Sequence, residues 1–293
     1  MVHEHLELAI KAALAAGDKI MEIRDSGDLG TREKSDRTLV TLADTEAQRI
    51  ILNILSESNI PIQGEEYDPE LAEYNARLLT VGENPTTFWS VDPVDGTRDL
   101  AEGIDDFVVS IALVSDHHSR LGVLYAPARK QLWFADQDTP THYSEDVDIV
   151  KGVHKKVKWP NNMASFDDAI MLASPSEMKK DYFKAFLREI NKEQQVKEIG
   201  STALKCALLT LGEGDVYASL HNLNPKNPGL IRDWDIAAAD IILQKAGGCL
   251  VTLTGYSPRY HFDAPKQRNG AIGYRNVVNH PDYLRKMQPH LPK

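Results

Sequence analysis

The chain has 293 residues, 42% hydrophobic and 26% charged, which excludes an extended disordered chain and leaves room for two packed subdomains. Its formal net charge of −10 at pH 7 argues against a nucleic-acid polymer or an anionic membrane as the main partner. No apolar run approaches the roughly 18 residues that span a bilayer, and the first residues lack the pattern of a signal peptide, so we expect no membrane span and a cytoplasmic location.

Hydrophobic spacing in the first half predicts helices followed by strands. Apolar residues from Leu6 to Met21 recur at helical spacing. A second helix is predicted to begin near Thr41, which has the spacing of a capping box with Asp44. The polar stretch 25–37 between these helices is predicted to be a loop. Strands are then predicted over 87–91, 107–114, 121–125 and 131–135.

The second half alternates between strand-like and helix-like segments, which is typical of a layered α/β architecture. The polar stretch 136–168 precedes it, and we place there the boundary between an N-terminal subdomain, 1–150, and a C-terminal subdomain, 151–293. A loop is predicted over 222–229. Strands are predicted over 169–173, 195–199, 215–220, 249–252 and 271–274, and helices over 176–190, 202–211 and 234–246.

Acidic residues occur at three places that suit metal chemistry. Glu65-Glu66 follow a short apolar segment, Asp235 lies at the start of a predicted helix, and the segment Asp92-Pro93-Val94-Asp95-Gly96-Thr97 ends an apolar strand. The proline and the glycine in that segment force a tight turn, which aims two carboxylates and a backbone carbonyl in one direction. Such an all-oxygen set suits a hard cation such as Mg²⁺. The following N–H groups could bind an anion.

Each of these acids also has an ordinary structural explanation when it is taken alone. The segment 92–97 is a plausible surface turn, and paired glutamates such as Glu65-Glu66 usually form a solvated face. Asp235 could simply complement a helix dipole, and Asp44 could simply complete a capping box. Only the joint order of the motifs favours a functional interpretation.

That joint order resembles the signature of a known superfamily. Asp44, Glu65-Glu66, the segment 92–97, Trp234-Asp235 and, after eleven further residues, Gly247-Gly248 are similar to the motifs of the lithium-sensitive, Mg²⁺-dependent phosphatases. Inositol monophosphatases, bisphosphate nucleotidases and fructose-1,6-bisphosphatases belong to this superfamily. The resemblance implies its fold, a layered αβαβα sandwich of the α/β (α+β) class, and inhibition by lithium.

The resemblance also implies a role for each matching residue. Two or three Mg²⁺ would be held by Glu65, Asp92, the carbonyl of Val94, Asp95 and Asp235. The catalytic residues that act on the attacking water would be Asp44, Thr97 and Glu65. The small phosphate-ester substrate would be bound by Gly96, Thr97, Arg98, Gly200, Ser201, Thr202 and Asp235. Because metal-bound water is itself a nucleophile near neutral pH, no cysteine or serine nucleophile is required.

Local features around this signature favour the bisphosphate nucleotidase branch. Arg98-Asp99 follow Thr97, and a basic residue followed by an acidic one is similar to the CysQ-type bisphosphate nucleotidases. The stretch 221–231 contains no acid, whereas inositol monophosphatases usually carry one there that contacts sugar hydroxyls. We therefore expect hydrolysis of a 3′(2′),5′-bisphosphate nucleotide, with adenosine 3′,5′-bisphosphate converted to AMP and phosphate.

Several alternatives remain open at this point. Arg98 could form a surface salt bridge with Asp99 or another neighbour, and the segment 200–202 could be an ordinary helix N-cap. The substrate could instead be inositol 1-phosphate or a broad range of sugar phosphates. The chain could also be a non-catalytic regulatory binding protein, although its complete set of carboxylates argues against this. The resemblance leaves a homodimer open.

Overall fold

The computed structural model describes residues 2–34, 39–80, 82–145, 155–156, 164–220, 231–263, 270–276 and 280–291. The helices in these ranges are α1 (Val2–Ser26), α2 (Leu42–Leu55), α3 (Pro69–Leu78), α4 (Thr97–Ala101), α5 (Pro175–Met178), α6 (Asp181–Glu189), α7 (Thr202–Leu211), α8 (Asp233–Lys245) and α9 (His280–Met287). The strands are β1 (Arg32–Glu33), β2 (Leu39–Val40), β3 (Ile62–Gly64), β4 (Thr87–Asp95), β5 (Val108–Ser115), β6 (His118–Ala126), β7 (Gln131–Asp136), β8 (His142–Ser144), β9 (Lys155–Lys156), β10 (Met171–Ala173), β11 (Val196–Glu198), β12 (Val216–Leu220), β13 (Cys249–Thr252) and β14 (Gly270–Tyr274).

The larger sheet has the order β3-β4-β5-β6-β7-β8-β9, and each neighbouring pair is antiparallel except the parallel pair β3–β4. Side chains along β4 alternate between its two faces, as a strand requires. Trp89 and Val91 pack against α1 and α2, whereas Phe88 faces the opposite way, towards α7 and α8. This alternation puts Asp92 on the same face as Phe88.

The smaller sheet has the order β11-β10-β12-β14-β13. Strand β10 is parallel to β11 and β12, while β14 is antiparallel to β12 and β13. One face packs on α7 and α8 through residues such as Leu172 and Tyr217. The other face packs on α6 and α9, where Val216 and Ile272 meet Phe183 and Met287.

The packing creates five layers: α1 with α2, the seven-stranded sheet, α7 with α8, the five-stranded sheet, and α6 with α9. The predicted αβαβα sandwich is therefore confirmed. Burial drives this arrangement because each sheet has two apolar faces, and the central helices cover one face of each. The candidate site lies among elements of the first three layers, at the start of α2, the end of β4 and the starts of α7 and α8.

Most predicted elements are present, with several differences. The predicted helix 176–190 is two helices, α5 and α6, because Lys179 and Lys180 lie between them with Lys180 in an extended conformation. The predicted loop 25–37 contains β1, and the polar stretch 136–168 contains β8 and β9. The predicted loop 222–229 lies outside the described residues. The boundary at 150 also falls outside them, so the domain division stays a prediction.

Helices α3 and α9 were not predicted, because both sequences are polar on average. Helix α3 has Leu71 as its one buried residue, although Asp68 and Pro69 form a recognisable helix start in which Asp68 accepts a hydrogen bond from the N–H of Glu70 at 2.8 Å. Helix α9 is likewise polar in sequence. None of the described helices is long and apolar enough to cross a membrane.

Candidate active site

Asp44 and Thr97 meet where α2 and α4 begin. The Thr97 hydroxyl lies 2.8 Å from Asp44 Oδ1 and 3.0 Å from the carbonyl oxygen of Val94, with donor geometry to both. Asp44 Oδ2 accepts hydrogen bonds from the N–H and the hydroxyl of Thr41, at 2.8 and 2.5 Å. Burial raises the pKa of Asp44, and the bonds from Thr41 and Thr97 oppose that rise. Asp44 thus completes the capping box of α2 and also accepts a hydrogen bond from Thr97.

The turn after β4 carries the next group of predicted residues. Strand β4 runs through Pro93 to Asp95, with an irregular register against β5 between Asp92 and Asp95. Asp92 Oδ1 accepts a hydrogen bond from the Val94 N–H at 2.9 Å, which holds the turn closed. Gly96 has a φ of 105°, and a Cβ there would lie 2.7 Å from the carbonyl oxygen of Asp106. Only glycine fits this position without strain.

The segment 200–202, at the start of α7, contacts this turn. Asp95 Oδ2 accepts hydrogen bonds from the Ser201 hydroxyl and from the Ala203 N–H, both at 2.6 Å. Ser201 is also the N-cap of α7, because its Oγ accepts from the N–H of Leu204 at 3.0 Å. Thr202 is the first residue of that helix. The ordinary N-cap interpretation is therefore correct, and the segment also contacts a predicted ligand.

Asp235 approaches the same turn from α8. Its Oδ2 accepts a hydrogen bond from the Arg232 N–H at 2.7 Å, so it also caps its own helix. The Ser110 hydroxyl donates to the carbonyl oxygen of Trp234 at 3.2 Å, and Ser110 is paired with Asp92 in the β4–β5 register. The first turn of α8 therefore lies against the strand that carries Asp92.

Charge interactions connect Asp92, Asp95 and Asp235 with Glu65. Burial, then the charges of Glu65, Asp95 and Asp235, raise the pKa of Asp92 well above its ordinary value. Burial and the charges of Asp95 and Glu65 do the same for Asp235. Burial also raises the pKa of Asp95, against the hydrogen bonds from the start of α7. Carboxyl groups in such proximity favour either protonation or a bound cation.

The donor atoms agree in kind with a hard divalent cation. They are carboxylate oxygens and one backbone carbonyl, with no histidine nitrogen or cysteine sulfur among the predicted set. Within the described residues, however, no group of three or more His, Cys, Asp or Glu side chains is spaced to hold a single metal ion. The kind of donor atom therefore fits Mg²⁺. The binding of one ion by several of these oxygens together belongs to the proposed function.

Lys34 and Gln48 are parts of the site that sequence patterns did not identify. Lys34 Nζ lies 3.0 Å from Glu65 Oε1 and 2.5 Å from Glu66 Oε1. Gln48 exchanges two hydrogen bonds with the backbone of Glu66, at 2.6 and 2.9 Å. Burial raises the pKa of Glu66 to about 7, although Lys34 opposes this. Neither partner shares a local pattern with the glutamates, so no signal in the sequence pointed to them.

Lys205 is a second unpredicted residue, and it lies beneath the segment 200–202. Its buried ammonium donates to Ser174 Oγ at 2.8 Å and to the carbonyls of Ile199 and Gly200 at 3.1 and 2.8 Å. Burial lowers its pKa, while Glu177 and Asp95 oppose that change. The sequence did contain a signal for this residue, because Lys205 is the one lysine in the otherwise largely apolar helix α7. The bonds of Lys205 fix the backbone carbonyl groups that precede α7.

Arg98 lies in the first turn of α4, and Gly200 lies just before α7. Arg98 is exposed, and it forms no ion pair with Asp99 or with any other carboxylate in the described ranges. The surface salt bridge considered for it is therefore absent from this part of the chain. Gly200 lies so close to Asp99 that a Cβ would be 1.8 Å from Asp99 Oδ2. The two segments thus pack directly on each other.

Comparison with known proteins agrees with this fold. The model of the inositol monophosphatase family matches residues 1–290. The 3′(2′),5′-bisphosphate nucleotidase CysQ of Salmonella typhimurium is 29% identical over 267 residues, which cover 89% of this chain and 97% of that protein. A fructose-1,6-bisphosphatase/inositol-1-monophosphatase of Thermotoga maritima is 24% identical over 253 residues, 86% of each chain. The crystal structure of CysQ from Bacteroides thetaiotaomicron has a TM-score of 0.71 at 25% identity, covering 92% of this chain and 97% of that one.

Proposed function

The chain belongs to the inositol monophosphatase family, and from that premise we propose that this phosphatase is a Mg²⁺-dependent 3′(2′),5′-bisphosphate nucleotidase. Its reaction would convert adenosine 3′,5′-bisphosphate to AMP and phosphate. The observation that carries the proposal is the group of mutually interacting, buried carboxyls beside the Asp44–Thr97 pair. Such a group is costly to bury without a cation.

Five groups are proposed to hold two or three Mg²⁺: the carboxylates of Glu65, Asp92, Asp95 and Asp235 and the carbonyl of Val94. A divalent cation there would lower the pKa of a bound water and screen the charge of the phosphate. Two of the proposed ligands are already oriented by the protein. Hydrogen bonds from the start of α7 fix Asp95, and the Arg232 N–H fixes Asp235.

Asp44 and Thr97 are proposed to take the proton of the attacking water. Because Asp44 Oδ1 accepts the Thr97 hydroxyl proton, the lone pairs of Thr97 Oγ1 are available to accept a hydrogen bond from water. As the water loses its proton, Thr97 can pass its own proton to Asp44. The raised pKa of Asp44 supports this role, since a carboxylate that is easier to protonate is a better base. Glu65 is proposed to orient the same water.

The phosphate ester is proposed to lie between the turn 96–98 and the segment 200–202, with Asp235 at its edge. The N–H groups of Gly96 and Thr97 would hold the phosphate that is cleaved. Arg98 is proposed to bind the second phosphate, which distinguishes a bisphosphate from a simple monoester. Its exposure and its lack of a described carboxylate partner support this, as does the relationship to proteins named CysQ.

The test is phosphate release from adenosine 3′,5′-bisphosphate, inositol 1-phosphate and fructose 1,6-bisphosphate, each with Mg²⁺. We expect the highest kcat/KM for the nucleotide. Arg98→Gln should lower that value about tenfold, which corresponds to one charge-assisted contact, and should leave inositol 1-phosphate unaffected. Arg77→Gln on α3 is the matched control. A higher kcat/KM for the inositol ester would overturn the nucleotide assignment.

The second candidate is a phosphatase for inositol 1-phosphate or a broad range of sugar phosphates. The observation that favours it is the similarity to the Thermotoga maritima protein, whose name carries both activities. Loss of all phosphate release in Asp92→Asn is expected under either assignment, because both need the same carboxylates. Activity that survives this change would refute the proposed metal site. The cytoplasmic location, the lithium inhibition and the homodimer stay predictions.

A further inference from the structure

The segment Tyr260–Phe262 is hydrogen-bonded to residues that lie two positions before proposed metal ligands, and the proposed reaction does not explain it. Its middle residue, His261, donates its backbone N–H to Asp233 Oδ2 at 2.8 Å. Asp233 is the first residue of α8, is fully buried, and lies two residues before Asp235. The middle of the segment is thus bound directly to the helix turn that presents a proposed metal ligand.

The same segment is bound to the seven-stranded sheet through Gln63. Its amide nitrogen donates to the carbonyl oxygens of His261 and Phe262, at 2.8 and 2.6 Å. Its amide oxygen accepts a hydrogen bond from the hydroxyl of Ser90 at 3.1 Å. Gln63 and Ser90 are buried and paired with each other in the β3–β4 register. Every described contact of the Gln63 amide therefore joins the segment to these two strands.

Gln63 and Ser90 lie close in the sequence to two of the proposed metal ligands. Gln63 is two residues before Glu65, and Ser90 is two residues before Asp92. Alternate residues of a strand point to the same face, so the contacts at Ser90 bear on the face that carries Asp92. The Glu65 N–H continues the pairing by donating to the Val91 carbonyl at 3.1 Å. The segment is thus bound directly to β3 and to α8, and through Gln63 to β4, each time two residues before a proposed ligand.

We propose that the segment Tyr260–Phe262 acts as a clamp that sets the spacing between Glu65 and Asp235. Its two positioning residues are Gln63 and Asp233, which make its hydrogen bonds to the two sides. The inference rests on the proposed function, because it assigns the clamp an effect on divalent-cation affinity. Outer hydrogen-bond partners of metal ligands commonly act in this way.

Contacts at Tyr260 hold the clamp in place without reaching the ligands. Its backbone N–H and carbonyl pair with His117, at 3.0 and 2.9 Å, and its hydroxyl donates to Asp240 Oδ2 at 2.9 Å. Phe262 packs edge-on against Phe88, with ring centroids 5.5 Å apart.

The test measures Mn²⁺ binding by electron paramagnetic resonance and Mg²⁺ activation of phosphate release in the full chain. Asp233→Ala and Gln63→Leu should each weaken Mn²⁺ binding about 10- to 100-fold and raise the half-saturating Mg²⁺ concentration by the same factor. Asp233→Asn keeps an oxygen that can accept the His261 N–H, so it should restore binding. Tyr283→Phe is the control outside the clamp: it removes a hydrogen bond of 2.8 Å from a buried tyrosine hydroxyl in α9 to the carbonyl oxygen of Ala164. It should lower the Tm and leave Mn²⁺ binding unchanged.

The outcomes separate this inference from the proposed function. If the wild-type chain binds no Mn²⁺, the proposed metal site fails and the clamp fails with it. If the wild-type chain binds Mn²⁺ and both Asp233→Ala and Gln63→Leu bind it equally well, only the clamp is refuted. Equal weakening in Asp233→Asn and Asp233→Ala would also refute it, because charge rather than the hydrogen bond would then be responsible. If one variant does not fold, the other decides.

Discussion

At the scale of single residues, the hydroxyl of Thr97 has the buried carboxylate of Asp44 as the nearer of its two acceptors, the other being the carbonyl oxygen of Val94. Replacing Thr97 by Val keeps the shape of the side chain and removes the hydroxyl. We expect kcat to fall by about 10²- to 10⁴-fold, the usual contribution of a positioned proton acceptor. The free energy of unfolding should fall by only ~1–3 kcal/mol, because one buried acceptor loses its donor.

Steady-state kinetics and denaturant unfolding of Thr97→Val and Thr97→Ser separate these two effects. Thr97→Ser retains the hydroxyl and should keep most of the activity. If the valine variant turned over substrate as fast as the serine variant, Thr97 would have no part in proton transfer.

The buried carboxyl of Asp99 should make the stability of the protein depend on pH. Burial, and then the charge of Asp106, raise its pKa from an ordinary 3.8 to about 6. Between these values the unfolded chain releases a proton that the folded chain keeps. The folded state therefore binds more protons, and stability falls as pH rises through this window. Above pH 6 both states are ionised, and the loss, at most ~3 kcal/mol, is complete.

Asp99→Asn removes this titration, so the variant should gain stability relative to wild type between pH 4 and pH 7. The measurement is the free energy of unfolding in urea at several pH values. Glu73→Gln is the control, because it removes an exposed carboxyl on α3 that is not among the charges acting on Asp99, and it should leave the pH dependence of wild type unchanged. A difference between Asp99→Asn and wild type that is constant across this range would contradict the assignment.

At the scale of elements, the turn between β4 and α4 depends on Gly96. Its φ of 105° disfavours any side chain, and a Cβ would lie 2.7 Å from a backbone oxygen that cannot move aside easily. Gly96→Ala should therefore cost ~1–3 kcal/mol and should lower activity, because Thr97 and Asp95 flank it. Gly103→Ala has a similar φ of 76° but nothing within 4 Å. That control should lose less stability and keep activity, as urea unfolding and phosphate release would reveal.

Local patterns predicted elements well where the residues themselves determine the structure. Helix α7 and strand β13 have the predicted bounds, because an N-cap with an apolar face, and a short apolar run after two glycines, are local signals. The contact between Asp95 and Ser201 spans 106 positions, and no periodicity encodes it. The resemblance to a family suggested that these motifs share a site. Neither kind of argument identified Lys34 or Lys205, whose partners are set by tertiary packing.

At the scale of the whole molecule, α7 and α8 form a layer that packs against both sheets. Helix α8 also carries Asp235, so the site depends on the same layer that joins the two halves of the chain. The predicted subdomains, 1–150 and 151–293, would then share the middle core in addition to a core of their own on the outer side of each sheet. A shared core makes unfolding cooperative, because neither sheet can expose the central layer without loosening the other.

Matched Ile→Ala variants can test this coupling. Ile242 in α8 and Ile20 in α1 are both fully buried, the first between the two sheets and the second against the seven-stranded sheet alone. Each truncation should cost ~2–5 kcal/mol. Hydrogen exchange followed by mass spectrometry should show faster exchange in both sheets for Ile242→Ala. Ile20→Ala should accelerate exchange more in the seven-stranded sheet. Faster exchange in only one sheet for Ile242→Ala would mean that the halves unfold separately, and that the site is assembled from two independent cores.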